Sequence, residues 1–347
     1  MSTAVDLIRC FPRLRALVIG DAMLDTYLEG TVSRLCREGP VPVVSKTGEY
    51  RIPGGAANTA ANLHALGAEV VFLSIVGRDM VGTALRSALC EQGVNDRWIV
   101  EDTPTNTLHK LRILADDQYI VRFDEGASYH SPASYKQLLA HLEEVFSRCD
   151  LVVISDYGYG TLSDTLIERL RTLRSQHPCP LLVDSKHLYR FRTLGATVVT
   201  PNYEEARLLV EPERTANLPL SGSGIDRSEF EHLGQRLLTM IDAEHAAITI
   251  AGDGVVLIDR QGLVQHIPTH PVVQANDIGA GDSFAAAMAL TLGAGGNVEV
   301  AARIANDAAG IAVTKRWTAA VTYQELLQQV SHREHTARAN IQVEVER

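Results

Sequence analysis

The stretch NDIGAGDSFAAAMAL, residues 276–290, places a carboxylate behind a turn of small residues, and an apolar helical run follows directly. The N–H groups of Gly279, Ala280, Gly281 and Asp282 open this predicted helix without intrahelical partners. Together with the helix dipole they form an anion site. In phosphoryl transfer, a carboxylate in the same turn can accept the proton of the attacking hydroxyl. The alternative role for Asp282 is that of a helix cap.

A second glycine-rich stretch, PGGAANTAANLHALG at residues 53–67, also opens a small-residue helix. Gly54 and Gly55 allow a backbone to approach a ligand without a Cβ atom. Asn58 lies in the first turn, where its amide reaches the same ligand. Taken alone, the pattern fits a tight strand-to-helix turn at least as well.

Short apolar runs alternate with helical segments along most of the chain, which predicts a parallel sheet covered on both faces. The runs lie at residues 15–20, 70–76, 151–154, 181–183, 197–199 and 246–250. The helical segments cover 56–66, 81–92, 134–147, 163–176, 203–209 and 229–242. Residues 27–52 and 105–124 alternate in polarity, so we predict a small antiparallel sheet that stands off the main domain as a lid. We expect an exposed loop at 211–228, one domain over 1–330 and a poorly ordered tail at 331–347.

Polar residues follow several of these predicted strands. The carboxyl ends of parallel strands share one rim of a sheet, and ligands bind there. The residues concerned are Asp21, Asp25, Asp156, Asp184, Lys186, Asn202 and Glu205. Asp25 also fits a turn cap, and Glu205 alone fits a helix start. Convergence of all of them on one rim favours a binding site.

Composition limits the class of protein. The 347 residues are 46% hydrophobic, 21% charged and 5% aromatic, with a net charge of −10. This charge opposes non-specific nucleic-acid binding. The five cysteines form no C-x-x-C pair, which indicates a reducing compartment without disulfides or zinc. With neither a signal sequence nor an apolar run of membrane-spanning length, we expect a cytoplasmic protein.

Two common nucleotide-binding motifs are absent from the sequence. There is no G-x-x-x-x-G-K-[ST] loop, and no G-x-G-x-x-G follows the first strand. A dinucleotide oxidoreductase is therefore disfavoured, and any phosphoryl transfer must use other anion sites.

The two glycine-rich stretches, in this order, resemble the two signatures of the ribokinase-like (PfkB) carbohydrate kinases. The first is matched at residues 54–60 with Gly67 and Gly77, and the second at 279–282 with Ser283, Phe284, Ala286 and Ala287. Order and spacing agree from about residue 15 to residue 328. The resemblance implies a three-layer α/β/α sandwich with a central, mainly parallel sheet and a small antiparallel β-lid. It also implies ATP, Mg²⁺, a sugar substrate and a homodimer formed through the lid.

The resemblance further implies roles for individual residues. Asp282 becomes the general base, and the amides of Gly279, Ala280 and Gly281 form the anion hole. The implied nucleotide-binding residues are Lys186, Asn202, Glu205, Thr249, Gly254 and Asn306, with Glu205 also helping to hold magnesium. The implied sugar-binding residues are Asp25, Gly54, Gly55, Asn58, Lys110, Arg112, Arg122 and Asp156.

Within this family, the heptose 7-phosphate kinases of lipopolysaccharide precursor synthesis are the most similar branch. GDAMLDTYLEGTVSRLCREGPVPVV, HKLRILADDQYIVRFD and SDYGYGTL resemble stretches of that branch and carry the basic residues Arg34, Lys110, Arg112 and Arg122. A phosphorylated sugar needs such residues. Bifunctional members also have a nucleotidyltransferase domain after the kinase. The sequence shows no such domain, so we expect this chain to carry out the kinase step alone. The alternatives are a kinase for ribose, fructose or a nucleoside, and a catalytically silent sugar-binding relative.

Two departures from the family pattern bear on cofactor and substrate. Asn276 and Asp277 stand where relatives carry an acid and a small or hydroxyl residue beside a monovalent-cation site. The requirement for a monovalent cation therefore stays open. Trp317 stands where relatives often have a glycine near the adenine.

Overall fold

The computed structural model describes residues 3–126, 129–213, 227–269, 277–318 and 320–345, with side chains through Thr336. Most of the predicted loop at 211–228, and Asn276, lie outside these ranges. The helices are α1 Ala4–Ile8, α2 Ala56–Ala65, α3 Met80–Glu91, α4 Pro132–Val145, α5 Asp164–Gln176, α6 Tyr203–Val210, α7 Arg227–Ile241, α8 Ala280–Gly293, α9 Val298–Ala312 and α10 Tyr323–Val345. The strands are β1 Arg15–Gly20, β2 Ala22–Leu35, β3 Pro42–Gly55, β4 Glu69–Gly77, β5 Ile99–Asp102, β6 Leu108–Ala115, β7 Gln118–Glu125, β8 Leu151–Asp156, β9 Leu181–Ser185, β10 Val198–Val199, β11 His245–Thr249, β12 Val255–Asp259 and β13 Val264–Ile267.

The main sheet follows the order β13-β12-β11-β10-β9-β8-β1-β4-β5 within the described ranges. All neighbours from β11 to β5 are parallel, and β12 and β13 add an antiparallel edge. Alternate residues of each strand face opposite layers: Val18 packs with the α2, α8 and α9 side, whereas Leu17 and Ile19 pack with the α4, α5 and α7 side. The predicted three-layer α/β/α fold is confirmed. The sequence patterns did not predict β5, β12 and β13.

The lid is a four-stranded sheet in the order β3-β2-β6-β7. Two of its strand pairs are antiparallel as predicted, but β2 and β6 run parallel. The reason is topological, because β6 follows β2 only after the chain has passed through β3, β4 and β5, and parallel neighbours need such a crossover. The strands are also longer than predicted, so β2 leaves the rim immediately after β1 and β3 runs directly into α2.

After residue 331, where the sequence predicted a poorly ordered tail, the chain is part of α10, which continues to Val345. Side-chain contacts hold its first half against the body. Arg333 forms an ion pair with Asp307 of α9, and the backbone N–H of Ala4 donates to Glu334 at 3.0 Å. Among the described residues, no helix has both the length and the apolarity to cross a membrane.

Candidate active site

The carboxylate of Asp282 is buried where α2, α8 and the loop after β8 meet. Gly279 precedes α8 in the left-handed region, at a φ of 82°, and this turn places Asp282 in the first helical turn. The carboxylate accepts hydrogen bonds from Asn58 Nδ2 at 2.6 Å, Thr59 Oγ1 at 2.8 Å and the Tyr157 hydroxyl at 3.0 Å. All three donors lie outside its own helix, so the geometry does not support a simple capping role. Burial raises the pKa of Asp282, and these hydrogen bonds oppose the rise.

The start of α8 leaves room beside this carboxylate. A Cβ atom on Gly281 would meet no atom within 4 Å, whereas one on Gly279 would lie 2.8 Å from the Thr318 methyl group and 2.9 Å from Asn58 Nδ2. The N–H of Ala280 makes only a long hydrogen bond, 3.4 Å, to the carbonyl of Asp277. An anion can therefore approach the first turn from the Gly281 side.

Asp25 stands on β2 at the base of the lid and is only 4% exposed. It accepts a hydrogen bond from Arg112 Nη1 of β6 at 2.8 Å and one from Thr318 Oγ1 at 3.3 Å. A Cβ atom on Gly54 would lie 2.8 Å from this carboxylate, and Gly55 has a φ of 56°. Gly54 therefore makes room for Asp25, and Gly55 turns the chain into α2; sugar binding by either residue stays a prediction.

Four cationic residues were predicted on the lid strands, and the structure separates them. Arg34 is exposed near the end of β2. Arg112 is paired with Asp25, and Arg122 is exposed and paired with Asp124 at 2.9 Å. Lys110 is half-buried on the same face of β6 as Arg112 and forms no ion pair with any described residue. Burial lowers the pKa of Lys110; nearby Asp25 opposes this effect and Lys186 adds to it.

Tyr157, in the loop after β8, was not predicted as a site residue. Besides its hydrogen bond to Asp282, its ring centroid lies 5.7 Å from Lys110 Nζ and 5.5 Å from Lys186 Nζ. Burial and the neighbouring carboxylate of Asp282 raise the pKa of Tyr157 well above its ordinary value. The motif SDYGYG was a visible signal, but only the fold shows that its tyrosine meets α8.

Two of the strand-end acids organise the loop that carries Tyr157. Asp21 accepts the backbone N–H groups of Tyr157, Tyr159 and Thr161 at 2.9–3.0 Å. Asp156, which was predicted to bind sugar, is 2% exposed and accepts a hydrogen bond from Ser185 Oγ at 2.6 Å. Burial raises its pKa. Its contacts in this structure are those of a residue that holds β9 to the loop.

The predicted phosphate-side residues lie along the ends of β9 and β10. Asn202 and Glu205 form a reciprocal capping box, in which Asn202 Oδ1 accepts from the Glu205 N–H at 2.8 Å and Glu205 Oε2 accepts from the Asn202 N–H at 3.0 Å. Thr249 pairs with Asn202 in an isolated bridge. Glu205 and Lys186 also line a groove between β9 and α6.

Asp184 connects this phosphate side with Asp282. Burial and the nearby carboxylates of Asp282 and Glu205 raise its pKa to about 8. The three acids therefore concentrate negative charge that a bound cation would offset. Among the described residues, no group of three or more potential ligands forms a ready-made metal site.

Gly254 and Asn306 meet at the turn after β13. Gly254 has a φ of 97°, and a Cβ atom there would lie 2.2 Å from the Ile267 carbonyl oxygen. Asn306 Nδ2 donates to the Pro268 carbonyl at 2.9 Å. The structure thus brings these two predicted nucleotide-binding residues to the same turn.

Trp317, which the resemblance placed near the adenine, packs instead against the lid. Its ring centroid lies 4.4 Å from that of Tyr27 on β2 and 5.6 Å from that of Tyr50 on β3. Its position beside Thr318 puts it at the Asp25 end of the site. The expectation of a place near the adenine finds no support in these contacts.

Comparison with known proteins gives one family. A family model described as "pfkB family carbohydrate kinase" matches residues 13–324. The "Bifunctional protein HldE" of Nitrosococcus oceani is 37% identical over 319 residues, and that of Geobacter sulfurreducens is 37% identical over 318 residues. These alignments cover 92% and 90% of this chain, but this chain spans only 64% and 62% of those relatives.

Solved structures agree on the fold. Phosphofructokinase-2 from Escherichia coli in complex with potassium matches with a TM-score of 0.74 and 20% identity, covering 92% of this chain and 99% of that one. Arabidopsis thaliana ribokinase complexed with ribose and ATP matches with a TM-score of 0.67 and 18% identity, covering 91% and 98%.

Proposed function

This chain belongs to the pfkB family of carbohydrate kinases, and we propose that it transfers the γ-phosphoryl group of ATP to a sugar hydroxyl, with residues 1–330 as one kinase domain. The observation that carries the proposal is the buried Asp282 carboxylate beside the open start of α8. The sugar oxygen bonds to the γ-phosphorus, the bond from this phosphorus to the ADP oxygen breaks, and Asp282 takes the hydroxyl proton. The amides at the start of α8 stabilise the charge on the transferred group.

A magnesium ion fits this chain as a companion of ATP. Mg²⁺ usually binds one or two carboxylates together with substrate phosphates, and Asp184 and Glu205 are available for that role. Burial and the neighbouring carboxylates of Asp282 and Glu205 raise the pKa of Asp184, and a divalent cation would offset the negative charge of these groups. When bound, the ion offsets the charge of the phosphates. Lys186 and the turn that joins Gly254 to Asn306 complete the proposed nucleotide side.

We propose D-glycero-D-manno-heptose 7-phosphate as the sugar, with transfer to its anomeric hydroxyl to give heptose 1,7-bisphosphate. Support comes from the branch-like stretches of the sequence, and from Lys110, a half-buried cation at the lid base without an ion-pair partner among the described residues. A phosphate group on the sugar supplies that partner. The alternative is a pfkB kinase for ribose, fructose or a nucleoside, or a silent sugar-binding relative.

We also propose that the protein is a homodimer joined through the lid. Val121 and Phe123 share one face of β7 and are 49% and 55% exposed. A free edge strand with an apolar face is a surface that a second copy can cover. The five cysteines are unpaired, in keeping with our proposal of a cytoplasmic location.

A panel assay tests the kinase proposal. ATP consumption is measured with heptose 7-phosphate, ribose, fructose, fructose 6-phosphate and a nucleoside, with Mg²⁺ and with or without K⁺. We expect sugar-dependent ADP formation that is fastest with heptose 7-phosphate. Consumption with none of these sugars would contradict the kinase proposal, and a clear preference for another sugar would contradict the heptose assignment only.

The Asp282→Asn variant tests the general base. We expect kcat to fall by roughly 10²- to 10⁴-fold, the usual contribution of a positioned base, with the thermal unfolding midpoint little changed. Asp164→Asn, at a carboxylate that is 95% exposed, is the matched control and should keep full activity. A near-normal kcat for Asp282→Asn would exclude this residue as the base.

A further inference from the structure

The carboxylate of Asp282 has two kinds of hydrogen-bond donor. Asn58 and Thr59 project from α2 and are 2% and 0% exposed, so they form its fixed buried support. Tyr157 is half-buried in the loop after β8, and its hydroxyl approaches Oδ1 at 3.0 Å. A sugar hydroxyl that gives its proton to Asp282 must make the same kind of contact.

We infer that the Tyr157 hydroxyl occupies the place of the acceptor hydroxyl on Asp282 while no sugar is bound, and yields it when the sugar enters. This inference rests on the proposed function. Tyr157 is then a positioning residue that acts through Asp282, and its effect is to keep a water molecule from taking the acceptor's place.

The surroundings of Tyr157 allow its side chain to leave while its backbone stays. Asp21, which is 1% exposed, accepts the N–H groups of Tyr157, Tyr159 and Thr161 and so fixes the loop. The side chain contacts Asp282 through its hydroxyl, and the ammonium groups of Lys110 and Lys186 lie 5.7 Å and 5.5 Å from its ring centroid.

Substrate binding weakens these contacts. We propose that Lys110 binds the sugar phosphate and Lys186 the phosphates of ATP, so both ammonium groups gain anionic partners when the substrates are present. The attraction between these ammonium groups and the Tyr157 ring therefore weakens when the sugar hydroxyl competes for Asp282. Lys110 and Lys186 thereby make the departure of the Tyr157 hydroxyl from Asp282 depend on the binding of both the sugar and ATP.

The reaction that Tyr157 suppresses is hydrolysis of ATP. A water oxygen would bond to the γ-phosphorus, the bond from this phosphorus to the ADP oxygen would break, and one water proton would pass to Asp282. The products are ADP and inorganic phosphate. Kinases must limit this reaction, because water is present at far higher concentration than any sugar.

The Tyr157→Phe variant tests the inference because it keeps the ring and removes only the hydroxyl. Phosphate release from ATP without sugar is compared with sugar-dependent ADP formation, both with Mg²⁺. We expect the ratio of hydrolysis to transfer to rise at least about tenfold, the effect of losing one hydrogen bond to a charged group. The KM for sugar should stay equal or fall, because a competitor has been removed.

A pH profile separates this role from a merely structural one. The Tyr157 hydrogen bond lowers the pKa of Asp282, so its loss should move the acidic limb of kcat/KM to higher pH. Tyr159→Phe is the matched control, since the Tyr159 hydroxyl makes no hydrogen bond to any described residue. It should change neither the ratio nor the profile.

The outcomes distinguish the two proposals. Normal sugar transfer in Tyr157→Phe with an unchanged hydrolysis ratio would overturn the inference alone, as would a large rise in the KM for sugar, which would make Tyr157 a sugar-binding residue. Absence of transfer by the unaltered protein would overturn the proposed function itself. Tyr157→Leu, which also removes the ring, should raise the ratio at least as much as Tyr157→Phe.

Discussion

At the scale of single residues, some charged side chains of the site have an ion-pair partner and others have none among the described residues. Arg112 pairs with Asp25, where both side chains are less than one-tenth exposed, so this arginine orders the lid base. Arg122 pairs with Asp124 near solvent, where an ion pair contributes little. Lys110 has no ion-pair partner among the described residues, and in our proposal it binds the substrate phosphate.

Lys110→Met should therefore raise the KM for heptose 7-phosphate roughly 10- to 100-fold, the effect of losing a charge-assisted contact. The KM for a neutral sugar should change little, because methionine keeps the length of the side chain. Steady-state kinetics with both sugars measures the difference. Lys136→Met, at an exposed position on α4, is the control. Equal changes in the KM for both sugars would show that Lys110 does not bind the phosphate group.

Residue types and spacing alone indicated Asp282 as a site residue, because an acid that follows glycines at the start of a helix is a local sequence pattern. They did not indicate Tyr157 or the raised pKa of Asp184. Both depend on which side chains from β8, β9, α2 and α8 meet at one rim, and only tertiary packing decides that. For Gly54 and Gly55 the sequence suggested ligand contact, which stays a prediction; the fold adds that a Cβ atom would meet Asp25 at Gly54 and Met23 at Gly55.

At the scale of elements, a buried polar cluster joins β5 to the start of α4. Asp102 accepts hydrogen bonds from Thr105 Oγ1 and from the N–H of Ser131, each at 2.7 Å. His130, next to Ser131, is 4% exposed, and its Nδ1 lies 3.4 Å from Thr105 Oγ1. Its Nε2 finds no hydrogen-bond partner among the described residues. Such a group favours the neutral ring.

This cluster predicts how stability depends on pH. Burial lowers the pKa of His130, although the carboxylates of Asp21 and Asp102 oppose the shift. In the unfolded chain the ring takes up a proton near pH 6.5. Below that pH the unfolded state binds the proton first, so stability falls as pH decreases, and this loss is absent above the unfolded pKa.

His130→Phe should keep the buried ring and lose less unfolding free energy than the unaltered protein between pH 7 and pH 5. Urea unfolding at the two pH values measures the difference. His141→Phe on α4 controls for the general loss of a histidine. An identical acid loss in His130→Phe and the unaltered protein would show that this ring does not govern the effect.

At the scale of the whole molecule, the parallel sheet was predictable because its strands are apolar on both faces and each is followed by a helical period. The mixed lid was less so. Alternating polarity indicates strands, but the direction of β2 relative to β6 depends on the intervening crossover and leaves no local trace. The charged composition of α10 likewise gave no indication of the ion pair between Arg333 and Asp307, which holds this helix to α9.

The lid also carries the surface through which we propose that two copies of the chain associate. On β6 and β7, one face carries Lys110, Arg112 and Arg122 toward the site side, and the other carries Val121 and Phe123. Because side chains alternate along a strand, the apolar face lies away from the cleft. Dimerisation through that face would cover apolar surface without blocking substrate entry.

Phe123→Glu should therefore convert a dimer into a monomer, since a buried unpaired carboxylate is costly at an interface. Size-exclusion chromatography with light scattering, over a range of concentrations, measures the mass. Arg122→Glu places a carboxylate on the opposite face of β7, where Arg122 is exposed across from Arg112, and should leave the dimer intact. A monomeric unaltered protein, or a dimer that survives Phe123→Glu, would place the interface elsewhere. Loss of the dimer in both variants would indicate that the whole edge strand, rather than its apolar face, makes the contact.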